Sequence, residues 1–392
     1  MRVVFAHDHI FKKDSAGNFY TAGSFNNEVW KRYLIHFDEI IVTARLDKKE
    51  IDNNNKYNDF NLPKTSFIPI PSLSGPLAQF KNRTYAAEKI KETLENSDAL
   101  IARLPSEIGN LAIEIAEEMG KPYAVEVVAC VWDALWNYGS IQAKIYAPLA
   151  TYKMKRLVKK APYAIYVTNS FLQNRYPCSG KIQNISNVEI QQTLDSSLLN
   201  RLNKIENSKQ LCNIGMIGNL NNRIKGWDVA LRALAILDKN NVDFKFHILG
   251  DGDIEQWVNL ANELDISHKI NFHGVLPGGE PVLKWLDNID LYMQPSFQEG
   301  LPRAVIEAMS RACPVVGSTA GGIPELVDKR CLHKPGDYKG LSQILTDIML
   351  DLDSAKDLAK QNYEESKKYK KEILDDRRSQ FFSFFVKRFN NK

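Results

Sequence analysis

Long apolar runs are missing from this chain of 392 residues. No stretch reaches the ~18 consecutive apolar residues expected of a membrane-spanning helix. The first segment, Met1–Ala6, has the composition of a strand and not of a secretory leader. We therefore expect a soluble, cytoplasmic protein with neither a transmembrane helix nor a signal peptide.

Cysteine is scarce, and its pattern disfavours two classes of site. The five cysteines, at positions 130, 178, 212, 313 and 331, are odd in number and share no Cys-x-x-Cys spacing. A disulfide framework or a structural zinc site would require paired or closely spaced cysteines. The pattern predicts reduced thiols and no metal.

Acidic residues are absent from one long window, Ala134–Val188, which contains eight Lys or Arg. Five of these basic residues lie in Lys153–Lys160, within a helical pattern. One interpretation is a solvated helix face. The other is a patch for an anionic partner, such as a membrane surface or a lipid-linked phosphate. We do not expect nucleic acid as a partner, because no nucleic-acid-binding motif accompanies the patch.

The rest of the composition is globular, with 44% hydrophobic and 25% charged residues. This length suits two domains of about 150–200 residues each. In the first half, strand-like segments alternate with helical patterns such as Tyr85–Glu95 and Glu107–Met119, which predicts a parallel sheet covered by helices on both faces. Strands are expected at Val3–Ala6, Glu39–Thr43, Ala99–Ala102, Ala124–Val128 and Ala164–Thr168.

The second half repeats this alternation, so we expect a second doubly wound domain. Its predicted strands are Asn213–Gly218, Phe244–Leu249, Ile270–His273, Asp290–Met293 and Val315–Gly317. Its predicted helices are Trp227–Leu237, Ile254–Leu264, Glu280–Leu286 and Pro302–Ala312.

Three segments have other patterns. The polar stretch Asn184–Lys209 is interpreted as the inter-domain linker, and the proline-rich stretch Phe60–Pro76 as an ordered loop. Gln361–Phe389 is predicted to form one long helix rich in Lys, Arg and Phe. Its phenylalanines either pack on the domain that the helix crosses or form the apolar face of an interfacial helix.

The segment richest in chemical information is Gln294–Ser310. A strand is expected to end early in it, followed by a loop with Glu299 and a helix with Pro302 in its first turn. Parallel α/β domains bind ligands at this carboxyl edge, and a helix N-terminus there favours a phosphate. The N–H groups concerned belong to Gly300, Leu301 and Arg303. Glu307, about a turn and a half into the helix, can reach a ribose diol, and Glu299 can reach sugar hydroxyls.

With seven residues between Glu299 and Glu307, the segment resembles the E-x7-E motif of retaining glycosyltransferases in the group 1 (family 4-like) family. A bare pair of glutamates is a weak signal. The longer match E-G-L-P-x-x-x-I-E-A-M-x-x-x-x-P-V-V, with G-G-I-P-E-L-V from Gly321, is specific. The resemblance implies an α/β protein with the GT-B fold, in which two Rossmann-like doubly wound domains face each other across a cleft.

The resemblance covers the C-terminal half well and the N-terminal half loosely. It implies an acceptor-binding domain at 1–190, a nucleotide-sugar-binding domain at 205–362, and a C-terminal helix, 363–392, that crosses back. The implied reaction moves a sugar from a nucleotide-diphosphate donor, UDP- or GDP-linked, with retention at the anomeric carbon and without a metal. The implied acceptor is a glycan or lipid-linked saccharide in cell-surface polysaccharide synthesis.

Further donor contacts are implied by matching loops. Lys225 resembles the diphosphate clamp, but the family usually has arginine where Asn219 stands, and Arg223 could replace that cation. The remaining implied positions are Gly250 and Val275 beside the base, and Gly23 and Ser24 at the phosphate across the cleft.

The catalytic residues implied are Glu299, Lys225 and Glu126. Many family members have a histidine after the fourth strand, and here Glu126 or Asp133 occupies that neighbourhood. A glutamate inside an apolar strand needs a partner, so a structural hydrogen bond is an equal alternative for Glu126. Two other clusters have weaker support: Asp251–Asp253 as a metal motif, and His7–His9, after the first strand, as a metal or acid–base site.

Two other functions are compatible with this pattern. A sugar-nucleotide epimerase of the same fold would use the same donor site. A non-catalytic relative that binds a partner glycosyltransferase is mildly favoured by Asn219 and by the missing histidine. Turnover of nucleotide sugars separates the three functions.

Overall fold

The computed structural model describes residues 1–21, 25–51, 57–191 and 193–390. Gly23 and Ser24, which the sequence predicts at the donor phosphate, lie outside these ranges. None of the helices in the described ranges is long and apolar enough to cross a membrane. All five cysteines are free thiols in the structure.

The first half of the chain forms a nine-stranded sheet. Its strands are β1 (Arg2–Lys13), β2 (Phe19–Thr21), β3 (Glu39–Leu46), β4 (Asn58–Asp59), β5 (Thr65–Pro69), β6 (Ala99–Leu104), β7 (Tyr123–Val127), β8 (Tyr163–Tyr166) and β9 (Lys181–Asn184). Its helices are α1 (Asn27–Leu34), α2 (Pro76–Glu95), α3 (Glu107–Glu118), α4 (Val131–Trp136), α5 (Ile141–Lys160) and α6 (Phe171–Arg175). The parallel strands run in the order β5-β3-β1-β6-β7-β8-β9, and β2 and β4 form an antiparallel extension beside the end of β1.

The second half forms a separate six-stranded sheet, in which every pair is parallel. Its strands are β10 (Asn213–Ile217), β11 (Lys245–Leu249), β12 (Ile270–Phe272), β13 (Leu291–Gln294), β14 (Val315–Ser318) and β15 (Leu332–His333). The helices of this half are α7 (Asp195–Glu206), α8 (Trp227–Lys239), α9 (Glu255–Glu263), α10 (Glu280–Asn288), α11 (Arg303–Ser310), α12 (Tyr338–Leu350), α13 (Leu352–Ser366) and α14 (Lys371–Asn390). The strand order is β12-β11-β10-β13-β14-β15.

Both sheets are therefore doubly wound, as predicted. The winding direction reverses between β1 and β6 in the first sheet and between β10 and β13 in the second. Loops that leave neighbouring strands in opposite directions open a crevice at the carboxyl edge, and ligands of such domains bind there. The candidate site lies at the crevice of the second sheet.

The phenylalanines of α14 pack on the first half of the chain. Phe382 lies edge-on to Phe37, with ring centroids 5.2 Å apart, and Phe385 lies edge-on to Tyr163 at 5.3 Å. Phe381, Phe382 and Phe385 are almost fully buried. For these three residues, packing explains the phenylalanine-rich pattern, and an interfacial apolar face does not.

The prediction of one helix over Gln361–Phe389 is wrong. Helix α13 ends at Ser366, and the backbone of Lys370 is extended before α14 begins. The helix is interrupted where the chain pairs with the segment around Ile190. Ile190 N–H donates to the carbonyl of Tyr369 (2.9 Å), and Lys371 N–H donates to the carbonyl of Ile190 (3.0 Å). The two chain crossings between the halves are thus hydrogen-bonded to each other. The boundaries 1–190, 205–362 and 363–392 remain our proposal for the domains.

Two other segments are more ordered than the sequence indicates. The polar stretch Asn184–Lys209 contains α7, which buries Arg201 against helix ends. Its guanidinium donates to the carbonyls of Leu286 (3.0 Å) and Arg311 (3.3 Å), where the helix dipole favours a cation. The proline-rich stretch Phe60–Pro76 contains β5, a parallel edge strand on β3.

Candidate functional site

Two loops meet at the crevice of the second sheet. The loop after β10 contains a 3₁₀ turn, Arg223–Lys225, followed by Gly226 with a left-handed φ of 78°. A Cβ at Gly226 would lie 2.1 Å from the carbonyl oxygen of Pro295, just beyond β13. Glycine therefore allows the two loops to touch. Phe297 N–H joins them by donating to the carbonyl of Ile224 at 2.8 Å.

This contact brings Lys225 and Glu299 together. The Lys225 ammonium lies 2.6 Å from Oε1 of Glu299, and the same oxygen accepts hydrogen bonds from Ser296 Oγ (2.8 Å) and Gln294 Nε2 (3.1 Å). Because Glu299 is only 9% exposed, these three donors offset the cost of burying its charge. Among the described residues, its Oε2 has no hydrogen-bond partner, so one oxygen remains available to a ligand.

Helix α11 begins directly after this loop, and its first turn can accept an anion. Pro302 is the capping residue, with φ −73° and ψ 119°, and no side chain caps the helix. The first turn has no acidic residue. Pro302 therefore lies one position before the helix, where the sequence predicts it inside the first turn. The uncapped N–H groups and the helix dipole together favour a phosphate.

Glu307 is half-buried on α11, in the predicted position within the helix. Its carboxylate makes no hydrogen bond or ion pair within the described chain. Burial raises the pKa of Glu307, and the positive charge of Arg303 opposes that shift. A half-buried carboxylate without a partner is costly. Glu307 is therefore free to accept hydrogen bonds from a ligand's hydroxyl groups.

Closely packed glycines hold the Glu299 loop between the two halves. Gly321 has φ 58°, and a Cβ there would lie 2.0 Å from the carbonyl oxygen of Glu299. Gly322 N–H donates to the carbonyl of Gly300 at 2.8 Å. On the other side, a Cβ at Gly300 would lie 2.3 Å from the carbonyl oxygen of Val128, at the end of β7. Any larger residue at Gly300 or Gly321 would push the loop away from its neighbours.

Glu325, in the same Gly-Gly-Ile-Pro-Glu turn, binds the first half directly. Its carboxylate accepts N–H groups from Asn169 (2.5 Å), Ser170 (3.0 Å) and Phe171 (2.6 Å), and also the Ser170 hydroxyl (3.0 Å). These partners lie 154 to 156 positions earlier in the chain, so this role of Glu325 cannot be predicted from local sequence. In the sequence, Glu325 is marked only by its place at the end of the Gly-Gly-Ile-Pro-Glu motif.

Glycines also end three neighbouring strands at this edge. A Cβ at Gly250 would lie 1.8 Å from the carbonyl oxygen of Gly218, and Gly250 N–H donates to the carbonyl of Gly274 at 2.7 Å. Val275, the next residue, is 64% exposed. Gly250 and Val275 thus lie together on the open carboxyl edge, after β11 and β12.

Comparison with known proteins identifies the family of this chain. Residues 212–351 match the family model described as Glycosyl transferases group 1. The chain is 33% identical over 369 residues to Protein CapJ of Staphylococcus aureus, a match that covers 94% of this chain and 90% of that protein. This chain belongs to the group 1 glycosyltransferases. The amylovoran biosynthesis glycosyltransferase AmsK of Erwinia amylovora is 34% identical over 131 residues, 31% of this chain and 32% of that protein.

A solved structure shows the same fold. The Anabaena protein Alr3699/HepE, in complex with UDP and glucose, is similar with a TM-score of 0.65 and 16% identity, over 98% of this chain and 99% of that chain. The predicted GT-B fold of the group 1 glycosyltransferases is confirmed.

Asn219 and Arg223, which the sequence predicts beside Lys225 at the diphosphate, make no hydrogen bond or ion pair with the Lys225–Glu299 pair in the described structure. Asn219, where group 1 relatives are expected to have arginine, is exposed, and its Oδ1 accepts a hydrogen bond from Asn221 N–H (2.9 Å). Arg223 is also exposed and forms an ion pair with Asp228. Their roles in donor binding stay predictions.

Glu126 has both oxygens engaged in the first half of the glycosyltransferase. The Tyr33 hydroxyl donates to Oε1 (2.6 Å), and Arg103 donates to Oε2 (3.1 Å). Burial, and then the charge of Glu126, raise the pKa of Tyr33, so the tyrosine is a neutral donor. The carboxylate thus has the partners that its burial requires. A catalytic role for Glu126 stays a prediction, as does one for Asp133, which pairs with Arg175 at 3.5 Å.

His7–His9 lies inside β1, so the prediction that it follows the first strand is wrong. The strand continues past an irregularity and pairs again with β3. The segment lines a cavity of about 560 Å³ at the carboxyl end of β1, together with Lys12 and Arg45. The Asp8 carboxylate accepts N–H groups from the first turn of α3, at Glu107 (2.6 Å) and Ile108 (3.3 Å).

Both histidines of this cavity are neutral at physiological pH. Burial, with Arg103 nearby, lowers the pKa of His7 to about 3. Burial, with Arg45 nearby, lowers the pKa of His9 to about 4. The cavity therefore offers neutral imidazoles beside arginine groups.

The Asp251–Asp253 segment has local structural contacts. Asp253 Oδ1 accepts the N–H of Glu255 (2.9 Å) at the start of α9, and the carbonyl of Asp251 accepts the N–H of Leu220 (2.8 Å). In the part of the chain that the structure describes, no group of three His, Cys, Asp or Glu could hold a metal ion.

Proposed function

We propose that this group 1 glycosyltransferase is a retaining enzyme that transfers a sugar from a nucleotide-diphosphate donor to a glycan or lipid-linked acceptor. The observation that carries the proposal is the Lys225–Glu299 contact beside the uncapped N-terminus of α11. A cation, a polar acceptor and a phosphate-binding helix end lie together at the switch crevice, where nucleotides bind in doubly wound domains.

In this proposal, Lys225 and the first turn of α11 hold the donor diphosphate. Negative charge grows on the leaving phosphate oxygen as the glycosidic bond breaks, and fixed donors stabilise that charge without reorganising. Lys225 is 28% exposed at its side chain and uses one of its N–H donors on Glu299, so it can contact the diphosphate as well. The free Oε2 of Glu299 would accept a sugar hydroxyl, and Glu307 the ribose diol. Gly300, Leu301 and Pro302 supply the backbone of the phosphate site.

The acceptor would approach from the first half of the chain. In the retaining reaction proposed, the acceptor hydroxyl attacks from the face of the leaving group, and its proton passes to the departing phosphate oxygen. We place the acceptor near the cavity beside His7 and Arg45. Glu126 would act there by orienting Arg103, to which it is hydrogen-bonded.

Two relatives guide the proposed substrates. HepE is a structure with bound UDP and glucose, which favours a UDP-sugar over a GDP-sugar for a chain of the same fold. AmsK is described as a glycosyltransferase of amylovoran biosynthesis, which favours a polysaccharide product. We propose a cytoplasmic enzyme that works at the inner face of the membrane, and that needs no metal because Lys225 and α11 supply the positive charge.

Incubation with radiolabelled UDP- and GDP-sugars tests the proposal, with lipid and glycan extracts offered as acceptors. Transfer of label to the extract, with an α-configured product from an α-configured donor, supports it. Formation of an epimer in the absence of acceptor would make the protein an epimerase. Binding of UDP without any turnover would make it a non-catalytic partner protein.

A further inference from the structure

The outward face of α5 exposes a row of apolar side chains. Ile141 and Ile145 are 77% and 74% exposed, and Leu149 and Tyr152 continue the row at helical spacing. The opposite face of the helix is buried, with Ala147, Ala150, Met154, Leu157 and Val158. A surface helix normally keeps its apolar residues on the core side. Folding therefore explains the inner face of α5 but not the outer one.

The first turns of α2 also expose large apolar side chains. Phe80 is 92% exposed and Leu77 is 86% exposed. The two helices touch here, since Gln79 Nε2 lies 3.5 Å from the Tyr146 hydroxyl oxygen on α5. Large apolar patches on a soluble protein mark a surface that binds something. We call the following residues the α5 patch: Leu77, Phe80, Ile141, Ile145, Leu149 and Tyr152.

The charged residues of the two segments that form the α5 patch are all basic. Residues 134–188 and 76–87 contain no Asp or Glu. Lys155 and Lys159 continue the outward row along α5, and neither has an ion-pair partner among the described residues. Lys144, next to Ile145 in the chain, lies over the Trp136 ring at 5.5 Å. The patch is thus bordered by cations.

The other basic residues of α5 are engaged within the protein. Lys153 lies 3.5 Å from Glu107, Arg156 lies 3.6 Å from Glu114, and Lys160 lies 3.8 Å from Glu117. All three acids belong to α3. The basic stretch Lys153–Lys160 therefore offers an external partner two free lysines and not five cations.

We infer that the α5 patch docks this protein on an anionic lipid bilayer. The apolar side chains enter the boundary of the hydrocarbon layer, while Lys155 and Lys159 contact the headgroups. Tyr152 suits the interface, where tyrosine is enriched. A second copy of the same face is disfavoured, because it would bring these lysines near each other with no acid between them. That the docking serves a lipid-linked acceptor rests on the proposed function.

Two sets of substitutions separate the apolar and basic contributions. The first replaces Ile141, Ile145 and Leu149 by serine, and the second is Lys155→Gln with Lys159→Gln. Matched controls are Leu199→Ser with Leu350→Ser, and Lys239→Gln with Lys245→Gln, which are exposed residues of the second half. All these side chains are exposed, so thermal melting of each variant should match the wild type.

Co-sedimentation with vesicles provides the measurement. We expect wild type to bind an equal mixture of phosphatidylglycerol and phosphatidylcholine, and to bind phosphatidylcholine alone more weakly. The serine variant should lose at least about tenfold in affinity for the mixed vesicles at any salt concentration. The glutamine variant should lose about fivefold per lysine at low salt, and less as salt rises. The controls should bind as wild type does.

Three results would overturn the inference: no sedimentation of wild type with anionic vesicles, equal binding by the serine variant, or a wild-type dimer that the serine variant converts to a monomer in light scattering. UDP binding by the same samples separates this failure from failure of the proposed function. If the protein binds UDP but not vesicles, the proposed donor site stands and only the proposed docking surface is wrong.

Discussion

Replacement of Lys225 by alanine should lower kcat far more than it raises the donor KM. Lys225 is the cation that the two touching loops place beside Glu299, and the leaving diphosphate gains charge only toward the transition state. Loss of one such fixed donor typically lowers kcat by about 100- to 1,000-fold. The donor KM should change by only a few-fold, because the α11 N-terminus and Glu307 still bind the ground state.

The same substitution should also destabilise the protein. Loss of one partner costs ~3–5 kcal/mol for a fully buried pair and up to ~1 kcal/mol for an exposed one. Here Glu299 is 9% exposed and Lys225 28%, and Ser296 and Gln294 still donate to the carboxylate after the lysine is gone. We therefore expect a loss of about 1–3 kcal/mol in the free energy of unfolding.

Urea denaturation and steady-state kinetics on Lys225→Ala, Glu299→Gln and the double variant measure both effects. Stability should show a coupling of about 0.5–3 kcal/mol in this cycle, as for residues in contact. Lys245→Ala, an exposed lysine at the amino end of the same sheet, is the matched control and should resemble wild type. A raised KM with unchanged kcat would refute the reasoning, since Lys225 would then only bind the donor.

Three further outcomes are expected. Transfer activity should survive EDTA, because side-chain and helix charges supply what a metal would; loss on chelation, restored by Mg²⁺ or Mn²⁺, would reopen Asp251–Asp253 as a metal site. The free energy of unfolding should fall as pH drops from ~6.5 toward 5, by up to ~1.4 kcal/mol per pH unit for each of His7 and His9, because their lowered pKa values let only the unfolded chain take up protons. A flat denaturation profile would contradict the burial of these two neutral imidazoles. His268→Gln, at an exposed histidine, is the matched control. Glu325→Ala should cost about 1–3 kcal/mol in urea denaturation, since it leaves three N–H groups of the other half without their acceptor; wild-type stability would exclude Glu325 as a join between the halves.

The sequence predicts the fold and the position of Glu307 well, because both depend on local order. Periodicity identifies strands and helices, and the motif from Glu299 to Glu307 is one continuous strand–loop–helix unit. The Lys225–Glu299 pair could not be predicted, since its members lie 74 positions apart and meet only because Gly226 allows a close approach. The sequence shows Ser296 only as a polar residue two positions after Gln294. Its burial beside Glu299 is seen in the structure.

In two segments, the composition does not indicate the structure that forms. The polar stretch Asn184–Lys209 contains α7, which the composition does not indicate. Its buried Arg201 donates to carbonyl groups of distant residues, and the sequence does not show these contacts. In Lys153–Lys160, helical spacing shows the face of each residue but not the acids of α3 that lie opposite. The exposed apolar row that begins at Ile141 could not be predicted for a similar reason, since periodicity does not distinguish a covered apolar face from an exposed one.

The central claim, that a nucleotide binds at the crevice beside α11, is tested most directly by titration calorimetry of UDP into wild type, Glu307→Ala and Glu206→Ala. Glu307 has no partner within the described chain and would accept the ribose hydroxyls, so its loss should weaken UDP binding by about 10- to 150-fold, the equivalent of ~1.5–3 kcal/mol. Glu206 is an exposed glutamate on α7, and its replacement should leave the affinity unchanged. If folded Glu307→Ala binds UDP as tightly as wild type does, the nucleotide does not occupy this crevice and the assignment of the donor site is wrong.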